Sequence, residues 1–124
     1  MARIVLIDDD QLVRETLRLA LTRAGHEVFV SANGTHIEGH LFHNSPDVVV
    51  TDLLMPETDG LETIRRIRKN NAKVKVVAIS GGGRLKNLDL LTFAKSFGAD
   101  AALAKPFLPG ELTDLIGKLI HPEG

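Results

Sequence analysis

The chain has 124 residues, with 15 Lys and Arg against 16 Asp and Glu, a formal net charge of -1 with histidine neutral, 44% hydrophobic residues and no cysteine. This length holds one domain with its own core and not two, the balanced charge excludes a strong field toward nucleic acid or an anionic membrane, and the missing thiol excludes disulfides, thiolate catalysis and cysteine-ligated zinc. No apolar run reaches the length of a membrane span, and Met1 to Asp8 is too short and too soon acidic for a signal peptide, so a cytoplasmic protein with no membrane contact and no direct nucleic-acid contact is expected.

Ile4-Val5-Leu6-Ile7 is an unbroken apolar run that stops at Asp8, Asp9 and Asp10. An apolar run without alternation is the pattern of a strand covered on both faces. A helix follows over residues 11–24, with Leu12, Val13, Thr16, Leu17, Ala20, Leu21 and Ala24 on one face and Arg14, Glu15, Arg18 and Arg23 elsewhere. Asp10 can cap its start and Gly25 can stop it. Glu27–Ser31 reads as a second strand and Asn33-Gly34 as a turn. Residues 35–44 form a weaker helix, with Ile37, Leu41 and Phe42 as its strong apolar residues, broken by Ser45-Pro46. His36, His40 and His43 fall on one face of that helix. A zinc or copper site is one reading of them, and a solvated, pH-sensitive face is the better one.

Val48, Val49 and Val50 are consecutive β-branched residues, so residues 48–51 read as a third strand buried on both faces and ending at Asp52. In open α/β sheets the carboxyl ends of the strands are where ligands and chemistry collect, which makes Asp52 a candidate nucleophile. Beyond Leu53-Leu54-Met55-Pro56, Asp59 can cap a helix running to about Asn70, with Glu62 three residues on. Leu61, Ile64 and Ile67 would face inward, and Arg65, Arg66, Arg68 and Lys69 would face water. That basic run has no interleaved aromatics, so it reads as the wet side of a helix and not as a nucleic-acid patch. Residues 75–80 form a fourth strand ending at Ser80, and Gly81-Gly82-Gly83 a loop without the Lys-Ser/Thr ending of a nucleotide P-loop. A helix over residues 85–97 carries Leu88, Leu91, Phe93, Ala94 and Phe97 and is stopped by Gly98. Residues 101–104 form a short fifth strand that leads into Lys105-Pro106-Phe107. The last helix starts near Pro109, uses Leu112, Leu115, Ile116, Leu119 and Ile120, and ends before Pro122.

Strands alternating with helices predict an α/β fold: a doubly wound five-stranded parallel sheet in the order 2-1-3-4-5, with right-handed crossovers. In that order the strands ending in Asp8 and Asp9, in Asp52, in Ser80 and in Lys105 are neighbours, so these side chains meet on one rim. Crowded carboxylates repel, and a hard divalent cation such as Mg²⁺ relieves the repulsion. The set suits phosphoryl transfer to a carboxylate. Asp52 would attack phosphorus, Lys105 would supply a mobile point charge and Ser80 a small hydroxyl donor.

Ile7-Asp8-Asp9, Asp52-Leu53-Leu54-Met55-Pro56, Asp59-Gly60, Ser80 and Lys105-Pro106-Phe107 resemble the motifs of response-regulator receiver domains, of the CheY-like (flavodoxin-like) (βα)5 fold. The resemblance covers essentially the whole chain, one receiver domain over residues 1–124 with its core at 3–120. It implies that Asp52 accepts phosphoryl from a histidine kinase, a histidine phosphotransfer protein or a small donor. It implies that Asp9, Asp52 and the backbone carbonyl of Leu54 hold Mg²⁺, with Asp8 acting mostly through water. Ser80 and Lys105 would hold the phosphoryl group and start the switch, and the Lys105–Pro106 bond would be cis. Such a domain is a switch and not a turnover enzyme. Its output would be a contact with a downstream protein target, over the fourth helix, fifth strand and fifth helix, because only His121-Pro122-Glu123-Gly124 follow Ile120.

This chain departs from the family pattern in two places. Ala102 stands where receivers often carry a switching aromatic, which moves the expected output toward the Gly81–Gly83 loop. Leu54 and Gly82 offer nothing to orient an attacking water, so a long-lived phosphoryl state is expected. Two other classes compete. A metal-dependent phosphohydrolase of related α/β fold would want a general acid close after its nucleophile, where Leu54 stands. A receiver-like interaction module that is never phosphorylated would have no use for the complete acid, serine and lysine set.

Overall fold

The computed structural model describes residues 1–53, 60–81 and 87–121. The elements run β1 (Arg3–Ile7), α1 (Gln11–Arg23), β2 (Glu27–Ser31), α2 (Ile37–Asn44), β3 (Val48–Asp52), α3 (Gly60–Asn70), β4 (Lys75–Gly81), α4 (Asn87–Ser96), β5 (Ala101–Lys105) and α5 (Pro109–Ile120). The five strands form one parallel sheet in the order β2-β1-β3-β4-β5. This is the expected doubly wound architecture, with the order reversing between β1 and β3.

Side-chain alternation along the strands divides the core into two layers. Ile4, Leu6, Val48, Val50, Val77 and Ile79 pack against Leu17 and Leu21 of α1 and Leu112 and Ile116 of α5. Val5, Ile7, Val49, Val76 and Ala78 pack on the other face against Ile37 of α2, Ile64 and Ile67 of α3 and Ala94 of α4. Every residue of β3 is buried, which explains why its sequence shows no alternation. Each such Val contributes roughly 1.5–3 kcal/mol by leaving water. Gly25 and Gly98 follow α1 and α4 with φ of 95° and 110°, the left-handed conformation that stops a helix.

The ladders run one residue further than the apolar runs. β3 includes Asp52, β4 includes Gly81 and β5 includes Lys105. Asp52 and Lys105 are therefore held within the sheet ladders.

Three expectations about helix faces are corrected. Leu12 is expected on the buried face of α1 and is 77% exposed, since the buried residues of that face are Leu17 and Leu21. Arg66 and Arg68 are not on the wet side of α3. Arg66 pairs with Glu38 and donates to the carbonyls of Gly34 and Thr35, stitching the β2–α2 connection to α3. Arg68 donates to Gly98 O at 2.7 Å and Val74 O at 2.5 Å and pairs with Asp100 at 2.6 Å, tying the ends of α3 and α4 to the start of β4. Lastly, His36 precedes α2, while His40 bonds the Asn44 amide and the His43 ring meets Phe42 edge-on. Among the described residues these histidines do not converge as a ligand set.

Candidate functional site

The carboxyl ends of β1, β3 and β5 build one pocket. Asp8 follows β1, and its N–H donates to Ser31 O of β2 at 3.1 Å. Its Oδ1 accepts the Asp10 N–H at 2.9 Å, which closes a tight turn into α1. Asp10 caps that helix as the sequence predicts, accepting from Leu12 and Val13 N–H at 3.0 and 3.2 Å.

Asp52 ends β3, and the following Leu53 N–H donates to Ile79 O at 2.7 Å. Gly60, the first residue of α3, lies against this backbone. A Cβ there would stand 2.6 Å from Asp52 O and 2.5 Å from the Leu53 Cα. Only a residue without a side chain lets α3 approach so closely.

Lys105 ends β5, in register with Gly81 of β4, and its peptide bond to Pro106 is cis. Its ammonium donates to Asp52 Oδ2 at 2.8 Å and to Asp8 Oδ2 at 3.0 Å. Both carboxylates are buried, Asp8 at 0% and Asp52 at 3% exposure. Burial alone pulls the Lys105 ammonium down, but its hydrogen bonds to Asp52 and Asp8 outweigh burial and hold it above the usual lysine range.

Oxygens of Asp8, Asp9 and Asp52 all lie within 4.8 Å of one another. Among the described residues three carboxylates gather around one ammonium, an excess of negative charge. A cluster of hard oxygen donors with that surplus fits a small divalent cation such as Mg²⁺. Asp9 is exposed, so it can reach a cation from the solvent side of the pocket.

Asp8, Asp9, Asp52 and Lys105 are thus brought together as the sequence predicts. Ser80 stands at the same end of the sheet, half-buried, next along β4 from Ile79, the register partner of Asp52. Among the described residues it makes no hydrogen bond to the carboxylates. Leu54, Gly82 and Asp59 lie outside the described residues. Ala102 is half-buried and packs on the core layer shared by α2, α3 and α4.

Sequence reasoning missed Arg14, whose guanidinium donates to Asp8 O at 2.7 Å. The spacing placed it on the outer face of α1. The available signal was a long cation one turn into a helix that starts directly after the acids. It also missed the apolar rim. Leu12, Val13, Thr16 and Leu17 of α1 line a groove of about 330 Å³ with Lys105, Pro106, Phe107 and Pro109. Exposed Leu108 stands beside it in sequence.

A family model described as the response regulator receiver domain matches residues 4–117. Response regulator MprA of Mycobacterium sp. strain KMS is 35% identical over 114 residues, which are 89% of this chain and 46% of that protein. The chain therefore spans about half the length of such relatives. Sporulation initiation phosphotransferase F of Bacillus subtilis is 28% identical over 118 residues, 95% of this chain and 93% of that one. Among solved structures, a response regulator receiver domain protein from Clostridium thermocellum superposes with a TM-score of 0.85 at 30% identity, covering 99% of this chain and 97% of that one.

Proposed function

From the premise that this chain belongs to the response regulator receiver domain family, we propose that Asp52 is its phosphoacceptor and that the chain is a signalling switch in a two-component phosphorelay. The observation that carries this reading is the Lys105 ammonium bonded to both Asp52 and Asp8. A nucleophilic carboxylate, a second acid and a mobile cation share one pocket.

In the reaction, a carboxylate oxygen of Asp52 forms a bond to phosphorus as the donor's P–N bond breaks. The electron pair leaves with the imidazole nitrogen of a phosphohistidine, which then takes up a proton. Lys105 exchanges one carboxylate partner for a phosphoryl oxygen, and Ser80 supplies a hydroxyl donor from β4. Asp8, Asp9, Asp52 and the Leu54 carbonyl would hold Mg²⁺, which supplies charge withdrawal from the phosphoryl oxygens when bound. The rest of the chemistry is positioning.

The donor is a histidine kinase or a histidine phosphotransfer protein. The groove at the start of α1 gives it an apolar seat, because Leu12 and Leu108, 77% and 70% exposed, stand beside the groove that Lys105 helps to line. Acylation of Asp52 shifts a pre-existing equilibrium between two arrangements of the same fold. A downstream protein reads that shift on the surface of α4, β5 and α5. No helix of the described residues is long and apolar enough to cross a membrane, and we place the switch in the cytoplasm.

Mass spectrometry after incubation with acetyl phosphate and Mg²⁺ tests the assignment. The native chain gains the mass of one phosphoryl group and Asp52→Asn does not. A labelled Asp52→Asn chain, or an unlabelled native one, overturns it. Steady turnover of a small phosphate ester would instead favour the phosphohydrolase reading.

A further inference from the structure

Asp9 differs from its two acidic neighbours. Asp8 and Asp52 are buried and share Lys105, whereas Asp9 is exposed and its carboxylate has no hydrogen-bond partner among the described residues. Its approach to Asp52 is therefore set by the backbone of the β1–α1 turn. The pairing of β1 with β2 ends at Ile7 and Ser31, so sheet pairing no longer holds the next carbonyl, that of Asp8. The partly buried Arg14 guanidinium takes it, at 2.7 Å. That carbonyl belongs to the peptide linking Asp8 to Asp9. Fixing its direction fixes where the Asp9 Cα points.

We propose that Arg14 is a positioning residue for the cation site: by anchoring the Asp8 carbonyl it holds the Asp8–Asp9 peptide so that Asp9 faces Asp52. This role rests on the reading that Asp8, Asp9 and Asp52 bind a divalent cation.

Two effects of removing Arg14 have opposite signs, which makes the role testable. A guanidinium near an acidic pocket repels a divalent cation, so as a bare charge its loss tightens Mg²⁺ binding. As an anchor its loss loosens the Asp9 ligand and weakens binding. Groups that orient metal ligands typically contribute about tenfold or more in affinity, which exceeds the effect of one screened surface charge.

The experiment is calorimetric titration of Mg²⁺ into the full chain, with paramagnetic Mn²⁺ binding as a second readout. Arg14→Met is expected to weaken Mg²⁺ binding about tenfold, and Arg14→Lys, which keeps a donor of similar reach, restores most of it. Arg18→Met removes a charge from the same helix and stays near the native value, since Arg18 pairs with Glu15 on the outer face. Arg14→Gln is polar, favours helix and is too short to reach, so it replaces Arg14→Met should that variant fail to fold. Native chain that binds Mg²⁺ while the truncated variants bind equally well or more tightly overturns the role of Arg14 alone. Native chain with no saturable Mg²⁺ binding overturns the cation reading and this role with it.

Discussion

Lys105 Nζ stands 2.8 Å from Asp52 Oδ2, joining residues 53 positions apart along the chain. The same ammonium satisfies Asp8, so it is a structural counter-ion for both buried acids. Removing it leaves buried carboxylates facing one another. Lys105→Met is expected to lose about 3 kcal/mol of stability in chelator, the usual cost of orphaning a buried charge. Added Mg²⁺ recovers part of that loss. Asp52→Asn has the opposite sign, because it removes one of three crowded negative charges while Lys105 keeps its bond to Asp8, and its midpoint in chelator should rise. Urea unfolding with and without Mg²⁺ measures both.

Gly60→Ala pushes a methyl into the backbone that follows Asp52, since the added carbon would sit 2.6 Å from Asp52 O. Backbone cannot step aside as a flexible side chain can. A destabilisation of about 1–3 kcal/mol is expected. Slower labelling of Asp52 by acetyl phosphate should accompany it, measured at a temperature where the variant remains folded.

Leu12→Ala separates docking from chemistry. If the donor protein seats on the groove at the start of α1, transfer from a phosphohistidine protein falls roughly tenfold or more, as for an exposed apolar anchor in an interface. Labelling by acetyl phosphate is unchanged, because Leu12 does not touch the carboxylates. Equal loss with both donors would place the defect in the pocket and remove the docking role.

Arg68→Ala is expected to cost about 2 kcal/mol, more than Arg66→Ala at about 1 kcal/mol. Arg68 is the more enclosed of the two. Its loss strands the carbonyls of Gly98 and Val74 and leaves Asp100 with the Val76 N–H. Chemical denaturation of both variants gives the ranking, and equal costs would show that enclosure does not govern it.

Acid should weaken the fold through two histidines. His26 Nδ1 accepts the Ala2 N–H at 3.0 Å, an interaction that only the unprotonated nitrogen can make. Burial first, and the nearby amino terminus second, hold its imidazole below the usual range, and burial does the same for His40. A depressed folded value means that the unfolded chain binds more protons, so stability present above the ordinary histidine range is lost as pH falls through it. Urea midpoints should drop between about pH 7.5 and pH 5.5. His26→Gln combined with His40→Gln should flatten that part of the slope.

The sheet was readable from sequence because doubly covered strands leave long β-branched runs, and because each of β1, β3 and β5 leads into a charged residue. Strand order then brought Asp8, Asp52 and Lys105 together without further information. What stayed hidden depended on reach and rotation. Helical spacing gives a face but not which of its residues the sheet covers, so Leu12 reads as inward although it faces solvent. It also says nothing of where a long flexible stem ends. Arg14, Arg66 and Arg68 all read as solvated positions, yet each finds backbone carbonyls on a different segment of chain. From sequence, Gly60 stands out only as part of the Asp59-Gly60 resemblance, whereas the need for it comes from the backbone of another element.

β5 lies at the edge of the sheet and joins it only through β4. It is also the last strand to be made, and it carries the residue that balances the acids 97 positions earlier. A nascent polypeptide still on the ribosome has Asp8 and Asp52 long before it has Lys105. Its acidic pocket stays without the Lys105 ammonium until the final strand emerges and docks, so an unfinished molecule carries the charge of its acids unrelieved.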